Sequence, residues 1–330
     1  MLQPLVAARD PLHRNIPITH RRDFLTLGIK VRFETNSPHI FESCKKAFPE
    51  SETARISPPH FTIRLMEDSS FHQKPPWPEP VFRGQRNLLY ICVGAENVAV
   101  ADLEHGLAIG FLSPAMVQDA GYLCKAFIEC LPFTMATHGR GATHAYVHAS
   151  AVARGNKGLI LSGPPGAGKS TLAYACARKG FHVVADDVVY LQRKQRALTA
   201  WGNARHLRLI PETVGLFPEL GLRTEIIAQS NSDVVEIDLD AIRPGCYQPR
   251  CEPVALFFLD RSEGPVSCQS LNPADAMRLL AQDLISDTPE AMEKHTRLWE
   301  HLTRKGAYVF HYGEDLDLAV QKLETFLPHV

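Results

Sequence analysis

With 330 residues, 45% of them hydrophobic, and a formal net charge of −1, the chain can bury two cores and lacks the charge excess that binds nucleic acid or a membrane surface. No apolar run is long enough to cross a bilayer and residues 1–10 lack the apolar segment of a signal peptide, so a cytoplasmic protein with no membrane and no nucleic-acid partner is expected. Its eight cysteines show neither a CxxC pair nor a Cys/His zinc spacing, and they read as reduced, small hydrophobic residues.

The basic group Arg14, His20, Arg21 and Arg22 reads as a solvated tail. Residues 24–35 alternate as one strand, Pro38 opens a short helix through Ala47, and His60 to Met66 form a second strand. The polar, proline-rich stretch from Asp68 to Pro80 is an expected loop. Three strand-like runs follow, Asn87 to Val93, Asn97 to Leu103 and Leu107 to Leu112, spaced as a meander. Ser113-Pro114 has the form of an N-cap followed by proline and starts an amphipathic helix reaching about Leu131. These elements predict a first domain over 1–140, α+β with mostly antiparallel strands. It carries no catalytic constellation, so a substrate-binding or regulatory role is expected. The boundary is placed in the short, glycine-containing interval from Ala136 to Thr143.

The second domain, 141–330, opens with a strand over Ala145 to Ala153, a turn at 154–158 and a buried strand over Lys157 to Ser162, which together predict an antiparallel hairpin. There follows Gly163-Pro164-Pro165-Gly166-Ala167-Gly168-Lys169-Ser170-Thr171, a complete match to GxxxxGK[ST]. Such a loop turns successive backbone N–H groups toward phosphates, with glycine where a Cβ would interfere, and its lysine neutralises β/γ-phosphate charge. A helix over Lys169 to Lys179, closed by Gly180, adds the positive end of its dipole. The whole run is therefore a candidate nucleotide-binding segment for ATP or GTP. Backbone amides of 166–170 are expected on the β-phosphate, Thr171 near the α-phosphate and Ser170 on Mg²⁺.

Asp186 and Asp187 follow the apolar Val183-Val184-Ala185, expected to be a parallel strand, at the end where α/β sheets hold ligands. Neighbours on a strand face opposite ways, so one carboxylate is assigned to the metal and the other to the proton of an attacking hydroxyl, with the assignment left open. Arg205, His206 and Arg208 are candidate cations for the transferred group. Beyond them a strand over Pro253 to Leu259, a helix over Pro273 to Leu284, a strand over Ala307 to His311 and a final helix from Asp315 to Leu327 cover the sheet. Asp260-Arg261, at a strand end, reads as a turn within range of the site.

Three features together resemble the catalytic domain of the HPr kinase/phosphorylase family: His148 in Val147-His148-Ala149-Ser150, the hairpin into the glycine-rich loop, and the phrase from Arg178 to Asp187. The resemblance covers roughly 145–191. It implies a P-loop kinase domain of the HPr-kinase/PEP-carboxykinase-like type with a mixed sheet, preceded by the smaller α+β domain. The activity implied is transfer of the ATP γ-phosphate to a serine hydroxyl with Mg²⁺. Asp186, Asp187, His148 and Arg208 are then the catalytic candidates, and Ser170 and Asp186 the metal ligands. His148 takes a functional role from this resemblance alone, since a lone strand histidine is more often structural. Thr171 stands where the name-giving enzymes carry glutamate, and their arginine signature has no counterpart in 232–245. That pattern resembles relatives that phosphorylate a serine of a precursor peptide, so the implied partner is a protein or peptide substrate. The name-giving enzymes form rings, which implies a homo-oligomer. Two rival readings are a small-molecule kinase of the shikimate or gluconate type and a P-loop regulator that binds nucleotide without transfer.

Overall fold

A computed structural model describes residues 17–50, 58–138, 141–195, 197–203, 206–220, 225–229, 232–282 and 289–328. The fold is mixed α/β, and the chain divides into two compact units, Met1–Ala142 and Thr143–Val330.

In the first unit the expected single strand over 24–35 is two. Leu27 and Gly28 sit at φ 48° and 69°, the two-residue turn that matches strand twist, and join β1 (His20–Thr26) to β2 (Ile29–Thr35) as an antiparallel pair. β2 and β3 (Phe61–Glu67) are parallel, as are β3 and β7 (Leu107–Leu112). The meander forms as expected through β5 (Leu88–Val93), β6 (Asn97–Asp102) and β7, and the sequence reading missed only its outer strand, β4 (Val81–Gln85). All five β4 residues are exposed, so no buried face imprints an alternation on that run. Ser113 caps its helix by accepting from Met116 N at 3.3 Å. That helix breaks at Asp119, passes through a π-helical turn at Cys124–Glu129 and runs on to Thr137.

In the second unit β8 (Ala145–Arg154) and β9 (Lys157–Ser162) form the expected hairpin, Ala149 opposite Ser162. β9 also pairs parallel with β16 (Arg250–Arg261), and β16 pairs parallel with β18 (Ala307–Tyr312). A register shift lies between Pro253 and Ala255 of β16, next to the proline that cannot donate to the ladder. β10 (His182–Ala185) and β11 (Val188–Lys194) both pair antiparallel with β8, β12 (Ala197–Trp201) joins β11 to β16, and β17 (Ser267–Ser270) flanks β18. A separate small sheet holds β13 (His206–Leu209), β14 (Glu225–Gln229) and β15 (Ser232–Asp238).

β9 is covered on both faces, which its uninterrupted apolar run requires. Leu159 and Leu161 pack with Phe257, Leu259 and Phe310 in the core that includes the helices Lys169–Arg178 and Leu316–Glu324. Ile160 packs with Leu256, Phe258 and Trp299 in the core that includes the helices Pro273–Gln282 and Pro289–Thr303. Each such side chain contributes about 2 kcal/mol by burial, and together they fix the height at which the loop after Ser162 leaves the sheet.

Candidate active site

The site residues of the second unit collect at one end of the sheet. β10 is expected to be parallel, but its strand partner β8 is antiparallel to it, and among the described residues its parallel pairing is the single bridge from Val183 to Tyr247. Because β8 also runs against β9, β10 and β9 still point the same way, and the residues after Ala185 emerge at the edge where the loop after Ser162 begins.

The helix Lys169–Arg178 starts directly from the glycine-rich loop, with Gly168 as its N-cap at φ 83°. A Cβ there would lie 2.2 Å from Tyr312 Oη, so glycine is required for both backbone conformation and space. Tyr312 donates from Oη to Ala167 O at 2.6 Å and pins the loop from β18. The Lys169 side chain is buried and donates to Gly163 O at 2.7 Å and Pro164 O at 3.2 Å, folded across the loop.

Asp186 and Asp187 do not continue the strand. Asp187 adopts φ 72°, and this left-handed residue turns the chain from β10 into β11. The two carboxylates part company through that turn rather than through strand alternation. Half-buried Asp186 accepts at Oδ1 from Ser170 Oγ and Ser150 Oγ, both at 2.8 Å, and at Oδ2 from Arg208 N at 3.1 Å. Burial pushes its carboxyl up from the usual range, the three hydrogen bonds oppose that rise, and the neighbouring Asp187 charge adds to it. Asp187 lies 3.3 Å from His148 Nε2 through Oδ1, with a well-exposed side chain. The His148 hydrogen bond holds its carboxyl below the usual range against partial burial, helped by the charges of His148, Arg208 and Lys169.

His148 and Ser150 are two apart on β8 and therefore share a face, His148 toward Asp187 and Ser150 toward Asp186. The hairpin is locked beneath them by Ser162 Oγ donating to His148 O at 3.1 Å. Arg208 on β13 contributes its backbone N–H to Asp186, while its guanidinium lies 3.9 Å from Glu236 on β15, which also faces His206 at 3.5 Å. Arg205 lies outside the described residues. The fold thus brings Gly163 through Thr171, Asp186, Asp187, His148 and Arg208 together. It adds Ser150 and Tyr312, which sequence reasoning missed. Ser150 was findable, since period-two alternation sets it on the face of His148; Tyr312 is distant in the chain and carried no signal.

The oxygen-only set of Ser170, Ser150 and Asp186 is the donor chemistry that suits a hard divalent cation such as Mg²⁺. Among the described residues no three His, Cys, Asp or Glu side chains converge as a metal cluster, and all eight cysteines are free thiols. No described helix is long and apolar enough to cross a membrane.

No family model matches the chain, and no curated protein does. Among solved structures the chain is similar to the Hpr(Ser) kinase/phosphatase from Coxiella burnetii, with 14% identity and a TM-score of 0.30, over 55% of this chain and 87% of that one.

Proposed function

We propose that the protein is an ATP-dependent kinase that transfers the γ-phosphoryl group to a serine hydroxyl of a protein or peptide. The observation that carries this reading is the placement of a complete GxxxxGK[ST] segment beside two differently partnered carboxylates, Asp186 on the segment's own Ser170 and Asp187 on His148.

On this reading the second unit is a P-loop kinase domain, and the amides of 166–170 with Lys169 hold the phosphates. Ser170 and Asp186 would hold Mg²⁺, which neutralises charge on the phosphates when bound. Asp187 receives the proton of the attacking hydroxyl as a bond forms from that oxygen to the γ-phosphorus and the bond to the ADP oxygen breaks. A loose transition state makes little demand on base strength, so a carboxylate that stays ionised suffices. His148 orients that carboxylate, and Arg208 adds positive charge on the same side. The first unit serves as the substrate-binding or regulatory part.

The test is incubation with Mg²⁺ and terminally labelled ATP in a lysate and peptide pool from the source, with Lys169→Ala and Asp187→Asn as controls. A phosphoserine-bearing protein or peptide, absent from both controls, is the expected product. Label confined to small metabolites overturns the acceptor class. Tight nucleotide binding with no transfer overturns the kinase reading.

A further inference from the structure

The sheet of the first unit has two edges, β1 and β4, and they are finished differently. β1 carries Arg21, Arg22 and Asp23, and its outer side is taken up by the chain itself. There Leu25 donates its backbone N–H to Pro49 O at 3.0 Å, and Phe24 pairs with Glu50 in an antiparallel bridge. Charge and cover are the usual protection of an edge against a further strand. β4 lacks the cover. Its five residues pair with Cys92 through Leu88 of β5 in unbroken register, and among the described residues no other strand or backbone group bonds to its outer side.

Every residue of β4 is exposed, Val81 at 48% and Phe82 at 51% among them. The unpaired N–H and C=O groups along such a strand are a template for one more strand. Pro75, Pro76, Pro78 and Pro80 have no N–H to offer, so the template begins with β4 itself.

What kind of strand fits is set by Arg83, the middle residue. Among the described residues neither Arg83 nor Arg86, in the turn to β5, makes an ion pair. A second copy of the chain, pairing β4 with β4 about a two-fold axis through the strand centre, would set Arg83 against Arg83. Like charges directly opposite destabilise a pair, whereas an acidic side chain opposite Arg83 stabilises it. The residues on either side of that acid then lie beside Phe82 and Gly84 on the other face of the sheet. Phe82 offers apolar contact, and Gly84 offers room, since a Cβ there meets nothing within 4 Å. We propose that β4 is a peptide-docking edge, which takes an extended segment with an acidic residue between apolar ones as an added strand. That this segment belongs to the phosphoryl acceptor rests on the kinase reading above.

The experiment is fluorescence anisotropy of the full chain with the labelled heptapeptide Ser-Thr-Val-Glu-Val-Thr-Ser, a counterpart with lysine at the centre, and two forms of the first N-methylated at alternate residues, one in each frame. The parent should bind the glutamate peptide about fivefold more tightly than the lysine one, Arg83→Gln should bind the two alike and Arg83→Glu should reverse the order. N-methylation in one frame should abolish binding and in the other should leave it within twofold, because only alternate N–H groups of an added strand face the sheet. A parent that shows no saturable binding up to millimolar peptide overturns the docking edge. So does equal loss in both N-methyl frames, or one peptide preference shared by the parent and both variants. If parent and Arg83→Glu, once mixed, form mixed dimers in sedimentation, a second copy holds the edge and the peptide is overturned as its occupant. The kinase reading fails separately: a parent that docks the peptide as a strand but transfers no label from ATP keeps the edge and loses the kinase, and one that labels serine in the peptide pool but docks no heptapeptide does the reverse.

Discussion

Ser150 and Ser170, one on a strand and one at a helix start, both donate from Oγ to the same oxygen of Asp186 at 2.8 Å. Removing either hydroxyl leaves a half-buried carboxylate short of a donor, a loss worth about 2 kcal/mol. Ser150→Ala and Ser170→Ala should therefore shift the urea midpoint by similar amounts. Only Ser170→Ala should also abolish the dependence of ATP affinity on Mg²⁺, measured by titration with and without the metal.

Asp187 holds φ 72°, a conformation that asparagine adopts with little strain. Asp187→Asn should keep the parent melting temperature while transfer slows by roughly 10²- to 10⁴-fold, the usual worth of a general base. His148→Gln should slow transfer less, because it disturbs the orientation of the carboxylate and leaves it in place. Equal losses in the two variants would mean that His148 handles the proton itself.

Gly166 and Gly168 have the same φ of 83°, yet a Cβ at Gly166 meets nothing within 4 Å and one at Gly168 lies 2.2 Å from Tyr312 Oη. Gly166→Ala should cost only the backbone term of about 1 kcal/mol. Gly168→Ala should cost that plus roughly 1–3 kcal/mol for displacing a buried ring. In Gly168→Ala combined with Tyr312→Phe, which removes the clashing hydroxyl, much of the second term should be regained. Denaturant melts of the three variants read this directly.

In the first unit burial would raise the Asp102 carboxyl, but hydrogen bonds from the His105 side chain and from backbone and Asn87 donors outweigh it and bring the group to about 2, from 3.8. The same contact to Asp102 raises His105 above 6.5. A depressed acid contributes stability above its unfolded pKa and loses it as pH falls through the folded value. A raised histidine contributes below its unfolded pKa and loses it as pH rises through the folded one. The melting temperature gap between the parent and Asp102→Asn should thus be widest between about pH 4 and 6 and should narrow toward pH 2 and above pH 7.

The glycine-rich segment was legible because its function needs fixed residue types at fixed spacing, and the flanking strand and helix because their apolar pattern is local. β12 and the sheet of β13, β14 and β15 were missed: these are short strands, and part of their pairing is distant in sequence, as in Ala200 opposite Cys251 and His206 opposite Asp238. The break at Leu27-Gly28 was hidden by an apolar residue at positive φ, which alternation cannot reveal.

The sequence by itself determined the loop, the helix after it, the hairpin before it and the identity of two adjacent carboxylates, all features written within a few residues of one another. Only the tertiary structure decided that Asp186 belongs to Ser170 and Ser150 while Asp187 belongs to His148, that β10 is antiparallel to β8, and that Tyr312 holds the loop. Those relationships come from strand order and from one left-handed residue, and strand order is set by how the whole chain buries its apolar faces.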